Sequence, residues 1–269
     1  MSALTFSLKK PLRFSVNCAA LTPDVLAPLS LEQIAGLTML HGKQAMRVDE
    51  LFDLSGHDSA SLRFLNGSNK LDYLGANMSA GRIEIEGDAG AYLGFGMKGG
   101  EIHCHGNTQS LAACNMQKGL IVIHGNTGDF LGGASAGLRK GMAGGTVVVK
   151  GHAGDRVGDQ MRRGLILIEG NAGDYCGSRM LAGTIGVLGK VGHWAGFSMR
   201  RGTLLFSQTP HLHASMQHCG SHHLPFLNLL FKSFAPFSKS FAQLKNQRAE
   251  RWLGDAAAQG MGEILVMTD

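Results

Sequence analysis

From Met78 onward the apolar positions of the chain repeat with a short, nearly constant period. A methionine followed three residues later by a glycine recurs at Met78/Gly81, Met97/Gly100, Met116/Gly119, Met142/Gly145, Met161/Gly164, Met180/Gly183 and Met199/Gly202, with steps of 19, 19, 26, 19, 19 and 19 residues. After each glycine comes a run whose second and fourth positions are apolar, as in Ile83/Ile85, Val147/Val149 and Ile166/Ile168. Period two with β-branched residues predicts a strand. Another glycine closes six of the seven runs, at Gly87, Gly106, Gly125, Gly151, Gly170 and Gly189. A positive φ there would let the chain turn sharply. A 19-residue unit cannot hold a strand and a crossover helix, which need roughly 30 residues. The pattern therefore predicts an all-β fold, a right-handed parallel β-helix (β-solenoid) of about seven 19-residue coils.

Stacking the coils lines up two inward aliphatic columns, one from Ile83 to Leu204 and one from Ile85 to Phe206, and the methionines fill a corner of the same core. The single 26-residue step marks an insertion of seven residues within Gly133–Gly141. Insertions of this kind form loops on one face of a solenoid, often the binding face.

The repeat divides the chain into a capping segment (1–70), the solenoid (71–209) and a C-terminal tail (210–269). In the α/β cap, Thr22-Pro23-Asp24 and Ser30-Leu31-Glu32-Gln33 are helix starts, and Ser61–Leu65 is a strand. A cap is needed because an open solenoid end would recruit other chains. In the partly helical tail, a helix from Ser238 would align Phe241, Leu244, Arg248 and Trp252, and Gly262–Val266 ends the chain as a strand. Such a tail either folds back on the solenoid or docks another subunit.

Thirty-nine glycines with only six prolines fit a solenoid in register better than disorder. A net charge of +5 is too weak and dispersed to indicate nucleic acid. Five cysteines without framework spacing indicate a reducing compartment. The first fifteen residues lack the apolar stretch of a signal peptide. The longest apolar run, Leu224–Phe231, is far short of a membrane span. These readings together predict a cytoplasmic protein.

Candidate chemistry is sparse. Gly94-Phe95-Gly96-Met97-Lys98-Gly99 matches G-x-G-x-x-G, but its methionine is a repeat position and its glycines fall at coil turns. In His103-Cys104-His105 alternation turns the cysteine inward and the histidines outward, so the three cannot share an ion. His105 should stack beside His124 of the next coil. The densest set of ligand types is His211, His213, His218, Cys219, His222 and His223. Its weak metal candidates are His218, Cys219, His222 and His223, and no four-ligand pattern closes. No nucleophile–base set, carboxylate pair or phosphate loop emerges, so the chain is not expected to catalyse alone. Asp88, Asp129, Asp155 and Asp174 read as turn formers. Outward strand positions become apolar along the rod, at Val122, Val148, Leu165, Leu167 and Leu205 among others. A stripe of that size must be covered, by the tail or by a partner interface. Lys98, Lys118, Arg139, Lys140, Arg162, Arg163, Arg200 and Arg201 lie at coil corners or in the insertion, as solubilising charges or as contacts for an anion.

The repeat Met-x-x-Gly-x-Ile-x-Ile-x-Gly-Asn-x-Gly-Asp resembles the GXGXG solenoid domain of the glutamate synthase large chain and of the C subunit of formylmethanofuran dehydrogenase. Gly137-Leu138-Arg139-Lys140-Gly141-Met142-Ala143-Gly144-Gly145 is similar to the mid-solenoid insertion of the second family. Leu21-Thr22-Pro23-Asp24-Val25-Leu26 with Leu31-Glu32-Gln33-Ile34 is similar to its N-terminal pattern. The resemblance covers residues from about 20 to 207; the histidine-rich tail departs from it. It implies a scaffold beside partners resembling the A, B and D components of formylmethanofuran dehydrogenase: an amidohydrolase, a molybdopterin-binding-like chain and a formyltransferase. It also implies a methanofuran-type cofactor in the complex, with metal or pterin held by the partners and none by this chain alone. Arg139, Lys140, Arg162 and Arg163 are then candidates for the cofactor's acidic tail. Thirteen methionines, five cysteines and 17% charged residues do not fit a hyperthermophile. They favour the bacterial formyltransferase/hydrolase complex over the tungsten or molybdenum dehydrogenase. A glutamate-synthase-related solenoid is the further alternative.

Overall fold

A computed structural model describes residues 2–268. The repeats pair edge to edge as parallel strands, each in register with the next: Arg82–Gly87, Glu101–Cys104, Leu120–Ile123, Ala143–Val149, Arg163–Ile168, Thr184–Val187 and Thr203–Phe206. The ladder continues past the repeats at both ends. Asp58–Gly67 and then Ala3–Leu8 add parallel strands before it, and Glu263–Thr268 adds one after it. One inward column therefore runs Leu4, Leu62, Ile83, Ile102, Ile121, Val147, Ile166, Ile185, Leu204, Ile264. Every member is buried, each contributing about 1.5–3 kcal/mol before entropy is counted. Antiparallel strands finish the 13-stranded sheet: Phe52–Ser55 at one end, Arg248–Leu253 and Gln217–His223 at the other.

The Met-x-x-Gly motif is an interlock between coils. Gly100 has φ +81°, and a Cβ there would stand 2.6 Å from the Met78 methyl of the preceding coil. The same methyl contact links Met97 to Gly119 and, past the repeats and without the positive φ, Met199 to Gly262. The closing glycines work differently from the expectation. Gly87 has a positive φ (113°), but Gly106, Gly125, Gly151, Gly170 and Gly189 do not. They are glycine because a Cβ would strike the previous coil, as at Gly106, 2.5 Å from the Gly87 carbonyl carbon.

The first 70 residues hold helices α1 (Pro23–Leu26), α2 (Leu31–Ala35) and α3 (Val48–Leu51). Proline opens α1, and Ser30 and Gln33 form a reciprocal capping box on α2. Phe6, Phe52 and Phe64 cluster at this end of the core.

The tail corrects one expectation. Helix α4 (Phe226–Ser233) is followed by a single turn, α5 (Lys239–Ala242), not by a helix reaching Trp252. Arg248 and Trp252 belong to the strand Arg248–Leu253, whose six residues pair with Thr268 back to Glu263. Backbone pairing against a formed sheet overrides a helical spacing of apolar residues. No helix among the described residues is long and apolar enough to cross a membrane.

Candidate functional site

Three surfaces bear on function: the strand face, the insertion groove and the tail. On the strand face the outward column reads Arg63, Glu84, His103, Val122, Val148, Leu167, Gly186, Leu205, Leu265. Its first part is charged, with Arg63 paired to Glu86 and Arg82 to Glu84 and Glu101. From Leu167 onward the column lies under the tail. Leu167, Leu205 and Leu265 form one buried cluster with Leu227, Phe231, Phe234, Phe241, Ala249 and Met267, flanked by half-buried Leu165 and Leu188. The expectation that Leu165, Leu167 and Leu205 meet a partner is corrected: the chain's own tail covers them. Val148 is also buried, and Val122 keeps part of its surface.

The insertion closes on itself through the Met142 N–H donating to Gly132 O (2.8 Å). Ala134 N–H to Asp159 O (3.2 Å) and Gly141 N–H to Gln160 O (3.0 Å) pin its two ends to the next coil. Between loop and coils is a groove of about 560 Å³ lined by Tyr92, Leu111, Phe130, Leu138, Arg139 and Arg179, among others. That volume is in the range of small-ligand sites. Asp159 also lines it, 1% exposed. Its Oδ1 accepts from Ser178 Oγ (2.7 Å) and Arg179 Nε (2.9 Å). This pair raises the guanidinium's pKa further, first through the hydrogen bond. Asn115, whose Nδ2 lies 3.4 Å from Ser135 Oγ, has a buried Oδ1 with no partner among the described residues.

One wall belongs to a column the sequence reading missed. Tyr73, Tyr92, Leu111, Arg156, Tyr175 and Trp194 each stand five residues before a landmark methionine, and Phe130 holds the same place once the insertion is discounted. All seven have φ between 57° and 69°. That conformation costs a non-glycine residue about 1–2 kcal/mol. It is held because each N–H donates to the following coil, Tyr73 to Ala91 O and Tyr175 to His193 O, for example. The side chains then stack: Tyr73 on Tyr92 at 4.5 Å, Arg156 over Tyr175 at 4.6 Å, and Tyr175 against Trp194 at 4.9 Å. The 19-residue period carried the signal, at positions outside the strands.

The four candidate cations occupy two places. Arg139 lines the insertion groove with exposed Lys140 beside it, whereas Arg162 and Arg163 border a separate hollow with Ala143 and Leu181. Among the described residues no three His, Cys, Asp or Glu side chains converge on a common point. His218 packs on Trp252 (4.6 Å), His222 Nε2 meets Cys219 O (2.9 Å), and His223 Nε2 meets Gln247 Oε1 (3.0 Å). Cys104 points inward, and burial pushes its thiol up to about 11. His105 and His124 stack at 4.8 Å, and burial, then the neighbouring His105 and His103, lowers the pKa of His124. The insertion groove offers cations and aromatic faces, which suit an anionic or planar group, and the second hollow offers cations alone.

The model of the family described as GXGXG motif matches residues 57–219. The C subunit of a tungsten-containing formylmethanofuran dehydrogenase 2 from Methanococcus maripaludis is 33% identical over 92 residues, 34% of either chain. The C subunit of the molybdenum-containing formylmethanofuran dehydrogenase 1 from Methanosarcina barkeri is 37% identical over 87 residues, 30% of this chain and 29% of that one. The C subunit of the formyltransferase/hydrolase complex Fhc from Methylorubrum extorquens is 37% identical over 86 residues, 32% of each. The chain thus matches about a third of the length of these curated relatives. A chain in the X-ray crystal structure of the formyltransferase/hydrolase complex (FhcABCD) from Methylorubrum extorquens, in complex with methylofuran, superposes with a TM-score of 0.91 and 36% identity. That match spans 98% of this chain and 100% of that one, so it takes in the tail as well as the repeats. By its repeats and by this likeness from end to end, the chain belongs to the GXGXG motif family, and its relatives there are the C subunits of formylmethanofuran dehydrogenase and formyltransferase/hydrolase complexes.

Proposed function

We propose that this chain is the non-catalytic scaffold, the C subunit, of a cytoplasmic formyltransferase/hydrolase complex of one-carbon metabolism. The observation that carries the reading is the full-length likeness at 36% identity to a chain of the complex solved with methylofuran. In it, partner subunits of the amidohydrolase, molybdopterin-binding-like and formyltransferase kinds move a formyl group between formyl-tetrahydromethanopterin and a methanofuran-type cofactor and release formate. This chain supplies a rigid rod, read as a right-handed β-helix of about seven 19-residue coils, because parallel strands joined by crossovers are right-handed in nearly all folds. Arg139 and Lys140 on the insertion, and Arg162 and Arg163 at the neighbouring corner, contact the anionic part of the cofactor. The tungsten and molybdenum relatives support a second reading, the C subunit of a formylmethanofuran dehydrogenase.

The test is native mass spectrometry of the complex purified from the source of this chain, with formate release assayed on the complex and on the isolated chain. A hetero-oligomer that turns over while the isolated chain does not is expected. Turnover by the isolated chain, or recovery without such subunits, sinks the reading.

A further inference from the structure

The tail hides one apolar surface and presents another. On α4, Leu227 and Phe231 face the buried cluster, while Phe226 (45% exposed) and Leu229 (72%) point away from it, three residues apart on the outer side. Beside them is a hollow of about 660 Å³ whose lining includes Asn228, Lys232, Leu244 and Lys245. Lys232, Lys239 and Lys245 are exposed, and none is within ion-pair distance of a carboxylate among the described residues. The sequence explains why. Between Asp174 and Glu250 there is no Asp or Glu at all, against eight Lys or Arg. Residues 1–174 carry sixteen cations and sixteen acids, and residues 175–269 carry nine and four, so the whole +5 lies in the last 95 residues.

We propose that the outer face of α4, with the lysine-lined hollow beside it, docks an acidic surface of a partner subunit that carries an apolar side chain at its centre. The inference rests on the scaffold reading and locates the contact. The strand face cannot serve for it over Leu165–Leu205, because the tail is already there. Apolar anchors inside a charged rim are the usual anatomy of an interface core, and an unneutralised cationic rim selects an acidic complement. A lipid surface fits less well: two exposed side chains on a helix of eight residues bury too little for anchoring, and a concave hollow suits a protruding side chain.

The experiment co-expresses the full-length chain with the formyltransferase/hydrolase-type subunits of its own source and titrates assembly at about 50 and 500 mM salt, where screening of exposed charges differs strongly. Leu229→Asp, and Lys232→Glu with Lys245→Glu, are compared with Leu40→Asp, another exposed apolar residue, from the N-terminal segment. Since the altered side chains are exposed, far-UV circular dichroism should match wild type. Expected are an affinity falling with salt in wild type, a loss of about tenfold in each tail variant, a flattened salt dependence in the lysine variant, and no loss for Leu40→Asp. Tail variants that assemble as wild type overturn the docking face and leave the scaffold reading standing. So does tail-dependent binding to phosphatidylglycerol vesicles without an effect on assembly. A wild-type chain that does not assemble overturns both.

Discussion

The ring of Phe241 occupies the space that a side chain on Gly186 would need: a Cβ there would lie 2.7 Å from Cε1. Gly186 pairs with Leu167 on one side and Leu205 on the other, so it is the gap in an otherwise bulky outward column. Phe241 is fully buried in that gap. Gly186→Val should destabilise by about 1–3 kcal/mol through overpacking, and Phe241→Ala by about 3–5 kcal/mol. Both act on the same contact, so the double variant should lose less than the sum. Urea unfolding checks this; strict additivity would mean that the ring and the gap are not coupled.

Glu169 ties the tail to the rod. Its carboxylate pairs with Lys150 and accepts from Ser238 Oγ at 2.6 Å. Burial acts against the charge, but the bonds from Lys150 and Ser238 outweigh it and hold the pKa below the ordinary glutamate value of 4.5. A depressed carboxylate contributes stability that is fully present above the unfolded value and is lost as pH falls through the folded one. The chain should therefore lose part of its thermal stability below pH 4.5, and Glu169→Gln should show a shallower loss. Melting temperatures of the two proteins between neutral pH and acid decide it; parallel curves would remove the assignment.

A ladder along one corner passes through a histidine. The Asn171 N–H donates to His152 Nδ1 (2.9 Å), just as the His152 N–H donates to Asn126 Oδ1 (2.7 Å) and the Lys190 N–H to Asn171 Oδ1 (2.8 Å). His152→Asn keeps an acceptor of the same reach and should leave stability nearly unchanged. His152→Ala strands one N–H at a solvated corner and should cost about 0.5–1.5 kcal/mol. If both variants melt alike, the histidine nitrogen is not the working acceptor.

The proposed cation contacts can be separated kinetically. In the assembled complex, Arg139→Glu with Lys140→Glu should raise KM for the methanofuran-type cofactor while kcat holds, the signature of lost uniform binding. Arg162→Glu with Arg163→Glu, at the other hollow, reports on that contact independently. An unchanged KM in either pair removes that pair from the cofactor's path.

Much of the candidate surface was legible for the same reason as the core. The insertion stands out as a single break in the period, and the ladder puts Ile83, Ile102 and Ile121 side by side as the alternation requires. The aromatic column repeats with the same period, but its left-handed backbone is imposed by the hydrogen bonds its N–H groups donate to the following coil, which no local propensity reports. Asp159 and Arg179 are twenty residues apart and meet only because neighbouring coils stack.

The rod is written in the residues themselves. A side-chain alternation of two inside a repeat of nineteen has one way to bury its apolar columns, and each Met-x-x-Gly pair locks its coil to the next. What lies against the rod was settled in three dimensions. Whether Leu167 and Leu205 meet a foreign subunit or the chain's own α4 and α5 depends on where residues 210–268 return. That return is fixed by the pairing of Glu263–Thr268 on the last repeat strand and of Arg248–Leu253 on it. Such contacts form between segments far apart in the chain, and their energy lies in a backbone ladder and in shape fit, neither of which leaves a periodic mark on the residues that make them.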